Sequence, residues 1–420
     1  MSPGFHRVAG RLFAEGVALE RIAGEVGTPV YVYSATALAE AYDALDAAFA
    51  GTRHLVCYSI KSNMNLAVVR TLVARGAGVD VTSGGELFRA LRAGAEPHKI
   101  VYSGVGKTDA EIDRGLEAGV RLFNVESRAE LRRIDARAGA LRKVAPVAFR
   151  VNPDVDPKTH PYISTGLRTS KFGIPIGEAV EAYAEAKALP HVKVLGVDCH
   201  IGSQLLDPRP WAEALARIRA LVLELRSAGH AIEILDVGGG LGVSYQDEVP
   251  PSPRVWAQTV LGAVGDLGCE ILLEPGRAIS ANAGLLLVRL LYEKSNEDKH
   301  FAVVDGAMND LLRPALYGAY HHIEPVGPPR EGLRVVDVVG AVCESGDFLA
   351  RDRSLPLLER GDLLAVHSAG AYGFAMSSNY NGRPRAAEVL VRGDRFAVVR
   401  ERESLEDTVR GERIPEELTG

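Results

Sequence analysis

The feature that most constrains the fold is a regular alternation of short apolar runs and amphipathic segments through the middle of the chain. The apolar runs, which predict strands, begin near His54, Gly78, Lys99, Arg121, Pro146, Val194, Ile232 and Cys269. Helix-like segments between them cover residues 85–93, 109–118, 128–138, 176–188 and 210–228. About eight strand–helix units in about 240 residues predict an α/β fold with a (β/α)8 TIM-like barrel. The alternative is a doubly wound sheet, which usually has fewer strands.

Polar or glycine residues follow almost every predicted strand. They are Lys61, Asp80, Ser83, Ser103, Asn124, Arg150, Asn152, His200, Gly238, Gly239, Gly240 and Glu274. In a barrel these positions meet at one mouth, whereas in an open sheet they spread along an edge. Polar residues at nearly every strand end therefore favour the barrel, where they can form one site. The connection from residue 152 to residue 174 is long and rich in Pro, Asp, Thr, Ser and Gly, and we expect it to form a lid or a wall of that mouth.

The chain after residue 282 has a different pattern. Strand-like runs occur there without long helices between them, at residues 301–304, 334–341, 363–367, 387–391 and 396–400. The last two runs are joined through Gly393 and Asp394, which is a hairpin signal. This pattern predicts a second, mostly β domain after a barrel domain of residues 35–282.

Composition argues against several classes of function. The 420-residue chain has a net charge of −6 and no basic run, so we expect neither nucleic acid nor a membrane as its partner. We find no signal-peptide or transmembrane pattern. The four cysteines are scattered without a Cys-x-x-Cys pair. We therefore expect no disulfide framework, no metal site and a reduced, cytoplasmic protein.

Lys61 is the first candidate for catalysis. It lies in the sequence Tyr-Ser-Ile-Lys-Ser-Asn, residues 58–63, which follows a buried-strand pattern. Desolvation at such a strand end favours the neutral amine, which is the form that attacks a carbonyl to make a Schiff base. The alternative is a lysine that extends its ammonium group into solvent.

Two further motifs suit a phosphate or an aromatic ring. Residues 236–242, Asp-Val-Gly-Gly-Gly-Leu-Gly, let backbone N–H groups approach a phosphate, although a sharp loop that needs positive φ explains the glycines equally well. Glu274 would pair with a protonated ring nitrogen, and Arg277 would clamp a phosphate or a substrate carboxylate. A structural pair between these two residues is the alternative.

His200, Ser203 and Cys343 complete the candidates. The imidazole would stack on an aromatic cofactor and the hydroxyl would bind a phosphate, although a lone histidine is more often structural. Cys343 beside Glu344 is either inert filling or, in a cleft, a proton donor. A Schiff-base lysine, a phosphate nest, an acidic partner for a ring nitrogen and a stacking histidine together predict pyridoxal 5'-phosphate as the cofactor.

On these motifs the chain resembles the fold type III, alanine racemase-like pyridoxal phosphate decarboxylases over nearly its whole length. Residues 58–63 and the Glu-Pro-Gly-Arg motif at 274–277 are shared across that family. Residues 313–317, the Cys-Glu-Ser motif at 343–345 and Thr-Gly-Leu at 165–167 resemble its diaminopimelate branch. The resemblance implies a lyase that converts meso-2,6-diaminopimelate to L-lysine and carbon dioxide, the last step of lysine biosynthesis. The alternatives are a decarboxylase of another diamino acid, such as ornithine, arginine or lysine, and a non-catalytic homologue.

The resemblance also implies a role for each candidate. Lys61, His200 and Cys343 are implied to be catalytic, with Cys343 as the proton donor to the α-carbon. The implied cofactor-binding residues are Lys61, Asp80, His200, Ser203, Gly238, Gly239, Gly240, Glu274, Gly276, Arg277 and Tyr372. The implied substrate-binding residues are Arg277, Arg313, Tyr317, Glu344 and Tyr372. A homodimer is implied, in which Cys343 and Glu344 act across the interface, with a β-rich second domain, a sandwich or barrel, made of residues 1–34 and 283–420.

The chain departs from the family pattern in two places. Ser59 and Ser62 stand where alanine is common, and the residues before Met308 occur in a different order. We expect neither departure to touch a group with an assigned role.

Overall fold

The chain folds into two compact units. A computed structural model describes residues 3–156 and 170–419. One unit is Ala37–Ala281, and the other combines Met1–Thr36 with Asn282–Gly420. The predicted boundaries, after residues 34 and 282, lie next to these. None of the helices in the described part of the chain is long and apolar enough to cross a membrane.

Eight parallel strands close the first unit into a barrel. In chain order they are His54–Ser59, Gly78–Val81, Ile100–Tyr102, Leu122–Val125, Ala145–Asn152, Val192–Asp198, Ile234–Asp236 and Glu270–Leu273. The last strand pairs with the first, with Leu273 opposite Val56, which closes the barrel. A short strand, Ile174–Pro175, pairs with the end of Ala145–Asn152. The predicted (β/α)8 barrel is therefore confirmed, and the doubly wound alternative is wrong.

One helix, Ala35–Ala48, precedes the first barrel strand, and others follow the strands. These are Leu66–Val73, Gly84–Arg92, Asp109–Ala118, Arg128–Ala140, Ala179–Ala188, Arg209–Ser227, Pro253–Val264 and the short Arg277–Ser280, with 3₁₀ turns at Ile60–Ser62, Pro97–Lys99, Ile176–Glu178 and Gly265–Leu267. Several begin at side chains that satisfy free backbone N–H groups: Ser83, Ser127 and Ser252 each accept from the N–H three residues later. Because Ser83 and Ser127 come directly after the ends of strands, the chain turns there from strand to helix within a short loop, whereas Ser252 follows a longer loop.

The second unit is built mainly from strands. A small antiparallel sheet contains Phe5–Val8, Arg11–Ala14 and Val17–Ala18. A nine-stranded mixed sheet has the order Phe348–Pro356, Leu333–Val339, Lys299–Val304, Gly284–Asn296, Val30–Ser34, Ala387–Arg392 and Arg395–Arg400, with Leu363–Val366 and Ile323–Pro325 joined to it. Its helices are Leu19–Val26, Arg313–Tyr317, Leu405–Thr408 and Glu416–Thr419, with 3₁₀ turns at Phe374–Met376 and Tyr380–Gly382.

The predicted β-rich character of this unit is confirmed, including its last hairpin, where Arg392 pairs with Arg395. The strand that links the two halves of the unit was not predicted. Gly284–Asn296 pairs with Val30–Ser34 through its first residues and with Lys299–Val304 through its last, so residues from both ends of the chain share one sheet. Its first seven residues are mostly buried leucines, a pattern that does not alternate and therefore gives no clear strand signal.

Candidate active site

Lys61 lies at the mouth of the barrel. It is in the 3₁₀ turn Ile60–Ser62, directly after the first barrel strand. Its Nζ atom is 3.2 Å from Oδ2 of Asp80, which lies near the end of the second strand and is fully buried, whereas the Lys61 side chain is 40% exposed. The other oxygen of Asp80, Oδ1, is buried and has no hydrogen-bond partner among the described residues. The Lys61 amine is therefore accessible to a ligand and contacts the buried carboxylate of Asp80.

Ser59 is part of the same contact. Its hydroxyl donates to Oδ2 of Asp80 at 2.6 Å, which is the oxygen that also faces Lys61. The expectation that this family departure touches no group with an assigned role is wrong for Ser59. The reason is geometric, because Ser59 is the last residue of its strand and is paired with Asp80 of the neighbouring strand in the sheet.

Glu274 lies in a cluster of polar side chains just beyond the eighth strand. Its Oε1 atom accepts from Ser103 Oγ at 3.2 Å and from Asn124 Nδ2 at 3.4 Å, and Asn124 Nδ2 is also 3.1 Å from Asp236 Oδ2. Burial, with the nearby charges of Asp236 and Asp80, raises the pKa of Glu274 well above its usual range.

Asp236 lies in the same cluster as Glu274, and both carboxyl groups accept from Asn124 Nδ2. Burial, followed by the charge of Asp198, raises the pKa of Asp236. The raised pKa values favour a protonated carboxyl group in this cluster, and a cation or a hydrogen-bond donor placed beside it would favour the ionised form.

His200 is fixed as a neutral imidazole. The backbone N–H of Gly239 donates to its Nδ1 atom at 3.2 Å, so that nitrogen carries no proton. Burial, with the positive charges of Arg150 and Lys61, lowers the pKa of His200 well below its usual value. Gly238 allows this approach, because a Cβ there would lie 2.6 Å from the same nitrogen and the residue has a φ of +65°. The contact places an uncharged ring with a fixed orientation at the mouth.

The glycine run has a structural explanation as well as a functional one. A Cβ at Gly239 would overlap the carbonyl of Glu274, and one at Gly240 would overlap the carbonyl of Gly202. The N–H of Gly238 donates to Asp236 Oδ1 at 3.0 Å, and that of Gly239 donates to His200. Two of the three predicted phosphate donors therefore hold other site residues.

Arg277 and Ser203 meet at the same end of the barrel. The Nη2 atom of Arg277 donates to Ser203 Oγ at 3.1 Å, and its Nη1 atom donates to the hydroxyl of Tyr245 at 2.6 Å. Gly276 precedes Arg277 and packs closely, because a Cβ there would lie 3.1 Å from the carbonyl of Ser59. Tyr245 was not predicted, since it lies in a loop without periodicity and only its place shortly after the glycine run gave a signal.

The remaining candidates belong to the second unit. Arg313 and Tyr317 are the first and last residues of the helix Arg313–Tyr317. Arg313 is buried, and its Nη1 atom is 2.9 Å from Nε2 of His321, a buried residue that was not predicted. Tyr317 is half-buried.

Cys343 and Glu344 lie on a loop between the strands Leu333–Val339 and Phe348–Pro356. Both are exposed within the described chain. The N–H of Cys343 donates to Asn381 Oδ1 at 2.7 Å, and Glu344 Oε2 accepts from the hydroxyl of Tyr380 at 3.4 Å. Tyr372 is half-buried in another loop, with a left-handed φ of +56°.

Two sequence predictions fall on residues 157–169. The Thr-Gly-Leu motif at 165–167 and the middle of the predicted lid lie outside the described residues.

Comparison with known proteins gives this site a family. Residues 36–281 match the pyridoxal-dependent decarboxylase, pyridoxal binding domain family. Two curated relatives are called diaminopimelate decarboxylase. The one from Neisseria meningitidis is 51% identical and covers 96% of this chain and 98% of its own length. The one from Pseudomonas aeruginosa is 54% identical and covers 96% and 97%.

Solved structures agree with these relatives. Diaminopimelate decarboxylase from M. jannaschii, in complex with L-lysine, is 39% identical, with a TM-score of 0.95 over 99% of both chains. The Helicobacter pylori enzyme, also in complex with L-lysine, is 42% identical, with a TM-score of 0.91 over 93% of this chain and 98% of its own. The chain therefore belongs to the pyridoxal-dependent decarboxylases and, within them, to the diaminopimelate decarboxylase family.

Proposed function

We propose that this protein removes carbon dioxide from meso-2,6-diaminopimelate to form L-lysine, with pyridoxal 5'-phosphate as its cofactor. The observation that carries the proposal is the accessible amine of Lys61 on the buried carboxylate of Asp80, in a chain of this family. When bound, the cofactor supplies an electron sink for the electron pair left at the α-carbon as carbon dioxide departs.

The residues at the barrel mouth fit this cofactor. Asp80 Oδ1 is a buried acceptor without a partner among the described residues, as expected where another group completes a site. Lys61 would hold the cofactor aldehyde carbon, and Glu274 would face the ring nitrogen. Burial raises the pKa values of Glu274 and Asp236, and a protonated ring nitrogen beside Glu274 would favour its ionised form.

The phosphate and the ring each have candidate partners. Ser203 and Arg277 already lie within hydrogen-bond distance of each other and offer N–H and O–H donors for a phosphate. Gly240 is the remaining backbone donor of the glycine run, because Gly238 and Gly239 act through Asp236 and His200. The neutral imidazole of His200 would cover one face of the ring.

The substrate residues come from the second unit. Arg313, Tyr317 and Tyr372, with Arg277, would hold the carboxylates of the substrate, and Glu344 would hold its distal ammonium group. Opposite charges are needed because the distal end of diaminopimelate carries both a carboxylate and an ammonium group. Cys343 would deliver the proton that replaces carbon dioxide at the α-carbon.

We also propose a homodimer in which Cys343 and Glu344 act in the site of the other subunit. Both are exposed on their own chain, whereas a proton donor at a reacting carbon works best away from bulk water. The four cysteines are free, which suits a reducing compartment, and we place the reaction in the cytoplasm.

Release of carbon dioxide from meso-diaminopimelate tests the reaction and the cofactor together. Activity should need added pyridoxal phosphate and should be lost in Lys61→Ala, along with the absorbance band near about 420 nm. Lys143→Ala is the control, because Lys143 lies before the strand Ala145–Asn152, at the opposite end of the barrel, and its ammonium group donates to Leu116 O at 2.7 Å. Faster turnover of ornithine, arginine or lysine than of diaminopimelate would favour the alternative substrate class.

Mixed dimers test the shared site. Lys61→Ala and Cys343→Ala dimers should each be inactive, and random exchange of subunits should restore about a quarter of the wild-type activity, because half of the dimers then hold one intact site. If exchange is shown by mass but activity stays absent, Cys343 acts within its own subunit.

A further inference from the structure

We propose that His321 is a positioning residue, which fixes the guanidinium group of Arg313 for recognition of the distal carboxylate of the substrate. The inference rests on the proposed function of Arg313 and adds a residue to it. His321 belongs to none of the sequence motifs described above, and its contacts in the folded unit support the proposal.

The contact between the two side chains has only one chemical form. Arg313 and His321 are both buried, at 6% and 0% exposure, and Nη1 of Arg313 is 2.9 Å from Nε2 of His321. A guanidinium group has donors and no acceptors, so Nε2 must be the acceptor and carries no proton. His321 is therefore a neutral imidazole with its proton on Nδ1.

The other ring nitrogen is also committed. Nδ1 of His321 is 2.8 Å from the backbone carbonyl of His367, which accepts the remaining proton. The imidazole thus donates at Nδ1 and accepts at Nε2, so each ring nitrogen has a fixed role. This arrangement orients the ring and, through the ring, the guanidinium group.

Arg313 needs such support because its own helix is short. Arg313–Tyr317 has five residues and ends at Gly318, whose φ is +61°. A single turn of helix does not hold its shape without tertiary contacts. His321 lies beside the strand Ile323–Pro325, which pairs with Leu363–Val366, and the N–H of His367 donates to the carbonyl of His322 at 2.8 Å. His321 therefore fixes the position of Arg313 relative to this sheet.

His367, whose carbonyl accepts from His321, begins the loop that carries Tyr372. His367 follows the strand Leu363–Val366 directly, and the loop after it contains Ser368 and Tyr372, both with left-handed φ angles, at +55° and +56°. Such angles are unfavourable for residues with a side chain, so the loop depends on its anchors. His321 is one of them, and it links two residues to which the proposed function gives substrate contacts.

Two substitutions separate the two contacts of the ring. The amide nitrogen of His321→Asn lies near the position of Nδ1, so this variant keeps a donor to His367 and loses the acceptor for Arg313. The amide oxygen of His321→Gln lies near the position of Nε2, so this variant keeps the acceptor and loses the donor. The adjacent His322→Asn is the matched control.

Steady-state kinetics of the holoenzymes with meso-diaminopimelate test the proposal. We expect His321→Asn to raise KM by about 10- to 100-fold, the effect of losing a hydrogen bond to a buried charged group, with the cofactor absorbance unchanged. His321→Gln keeps the acceptor for Arg313 but loses the contact with His367, so it should raise KM less than His321→Asn does, and His322→Asn should keep KM within about threefold of the wild type. In an Arg313→Gln background, His321→Asn should add less than about twofold, since the group it positions is gone.

The outcomes distinguish this inference from the proposed function. If Arg313→Gln leaves KM unchanged, the proposed role of Arg313 is wrong. If Arg313→Gln raises KM but His321→Asn does not, only the positioning role fails, and equal effects of the Asn and Gln variants overturn it as well. Should His321→Asn fail to fold, His321→Gln decides, because an increase in its KM as large as that of Arg313→Gln would show that an acceptor at Nε2 does not support Arg313.

Discussion

The barrel mouth and the loops of the second unit present their candidate residues in opposite ways. At the mouth, Asp80, Asp236 and Glu274 are buried, and each is held by side chains from other barrel strands or the loops after them. On the loop after Leu333–Val339, Cys343 and Glu344 are exposed, and the hydrogen bonds there hold the backbone more than the side chains. The proposed cofactor site is therefore held by contacts inside the barrel, whereas the loop residues proposed to meet the substrate have few such contacts.

This difference has a physical reason. Strand ends in a closed barrel have fixed spacing, so side chains from different strands meet at hydrogen-bond distance and become buried. A loop at the edge of a β domain has no such neighbours, and its side chains are buried only when another surface covers them. Changes at the mouth should therefore alter stability and function together, and changes on the loop should alter function alone.

The largest expected effect tests the loop. Cys343→Ala should lower kcat by about 10²- to 10⁴-fold, the usual contribution of a proton donor, because no other group would protonate the α-carbon. The free energy of unfolding should stay within about 0.5 kcal/mol, since the side chain is exposed. Steady-state kinetics and urea unfolding measure the two quantities. The neighbouring Ser345→Ala should change neither, and an active Cys343→Ala would contradict the assignment.

The next effect tests burial at the barrel. Arg150 and Glu126 form an ion pair of 3.1 Å, with side-chain exposures of 9% and 2%. Arg150→Met leaves the carboxylate buried without its partner, so we expect a loss of about 3–5 kcal/mol of unfolding free energy. The matched pair in the second unit, Arg21 and Glu25, is exposed, and Arg21→Met should cost less than about 1 kcal/mol. Equal losses in urea unfolding would remove the contrast between the two regions.

A buried carboxyl group in the second unit, Asp310, should make the stability of that unit depend on pH. Burial raises the pKa of Asp310 to about 7, although it accepts from the N–H of Ala307. Between its ordinary pKa and 7, the folded protein binds more protons than the unfolded chain, so stability falls as pH rises through this window. Asp310→Asn cannot ionise and should remove roughly 2–4 kcal/mol of that dependence.

Unfolding measured from pH 5 to pH 8 checks this prediction. The exposed Asp394→Asn is the control and should leave the pH dependence unchanged. If Asp310→Asn has the same slope as the wild type, Asp310 does not cause the pH dependence of stability, and its burial does not shift its ionisation as expected.

The sequence allowed the barrel to be predicted, but only part of the site. Lys61, His200 and Glu274 could be placed because a barrel brings every strand end to one mouth, whatever the loops do. Ser59, Tyr245 and His321 could not be placed, because their importance depends on partners 21 to 46 residues away. Such contacts are set by the register of strands and the path of loops, which a periodic pattern does not contain.

The smallest effect we predict tests how far the barrel mouth is organised in advance. Ser59→Ala removes the 2.6 Å hydrogen bond to Asp80 and leaves that buried carboxylate to Lys61. We expect the unfolding free energy of the protein without cofactor to fall by about 1–2 kcal/mol, because one acceptor loses a buried donor. The exposed Ser227→Ala, which removes a bond to Glu224 O on a helix, should cost less than about 0.5 kcal/mol. If the two variants behave alike, Asp80 is not held by the hydroxyl, and the mouth is no better organised before the cofactor binds than the exposed loops are.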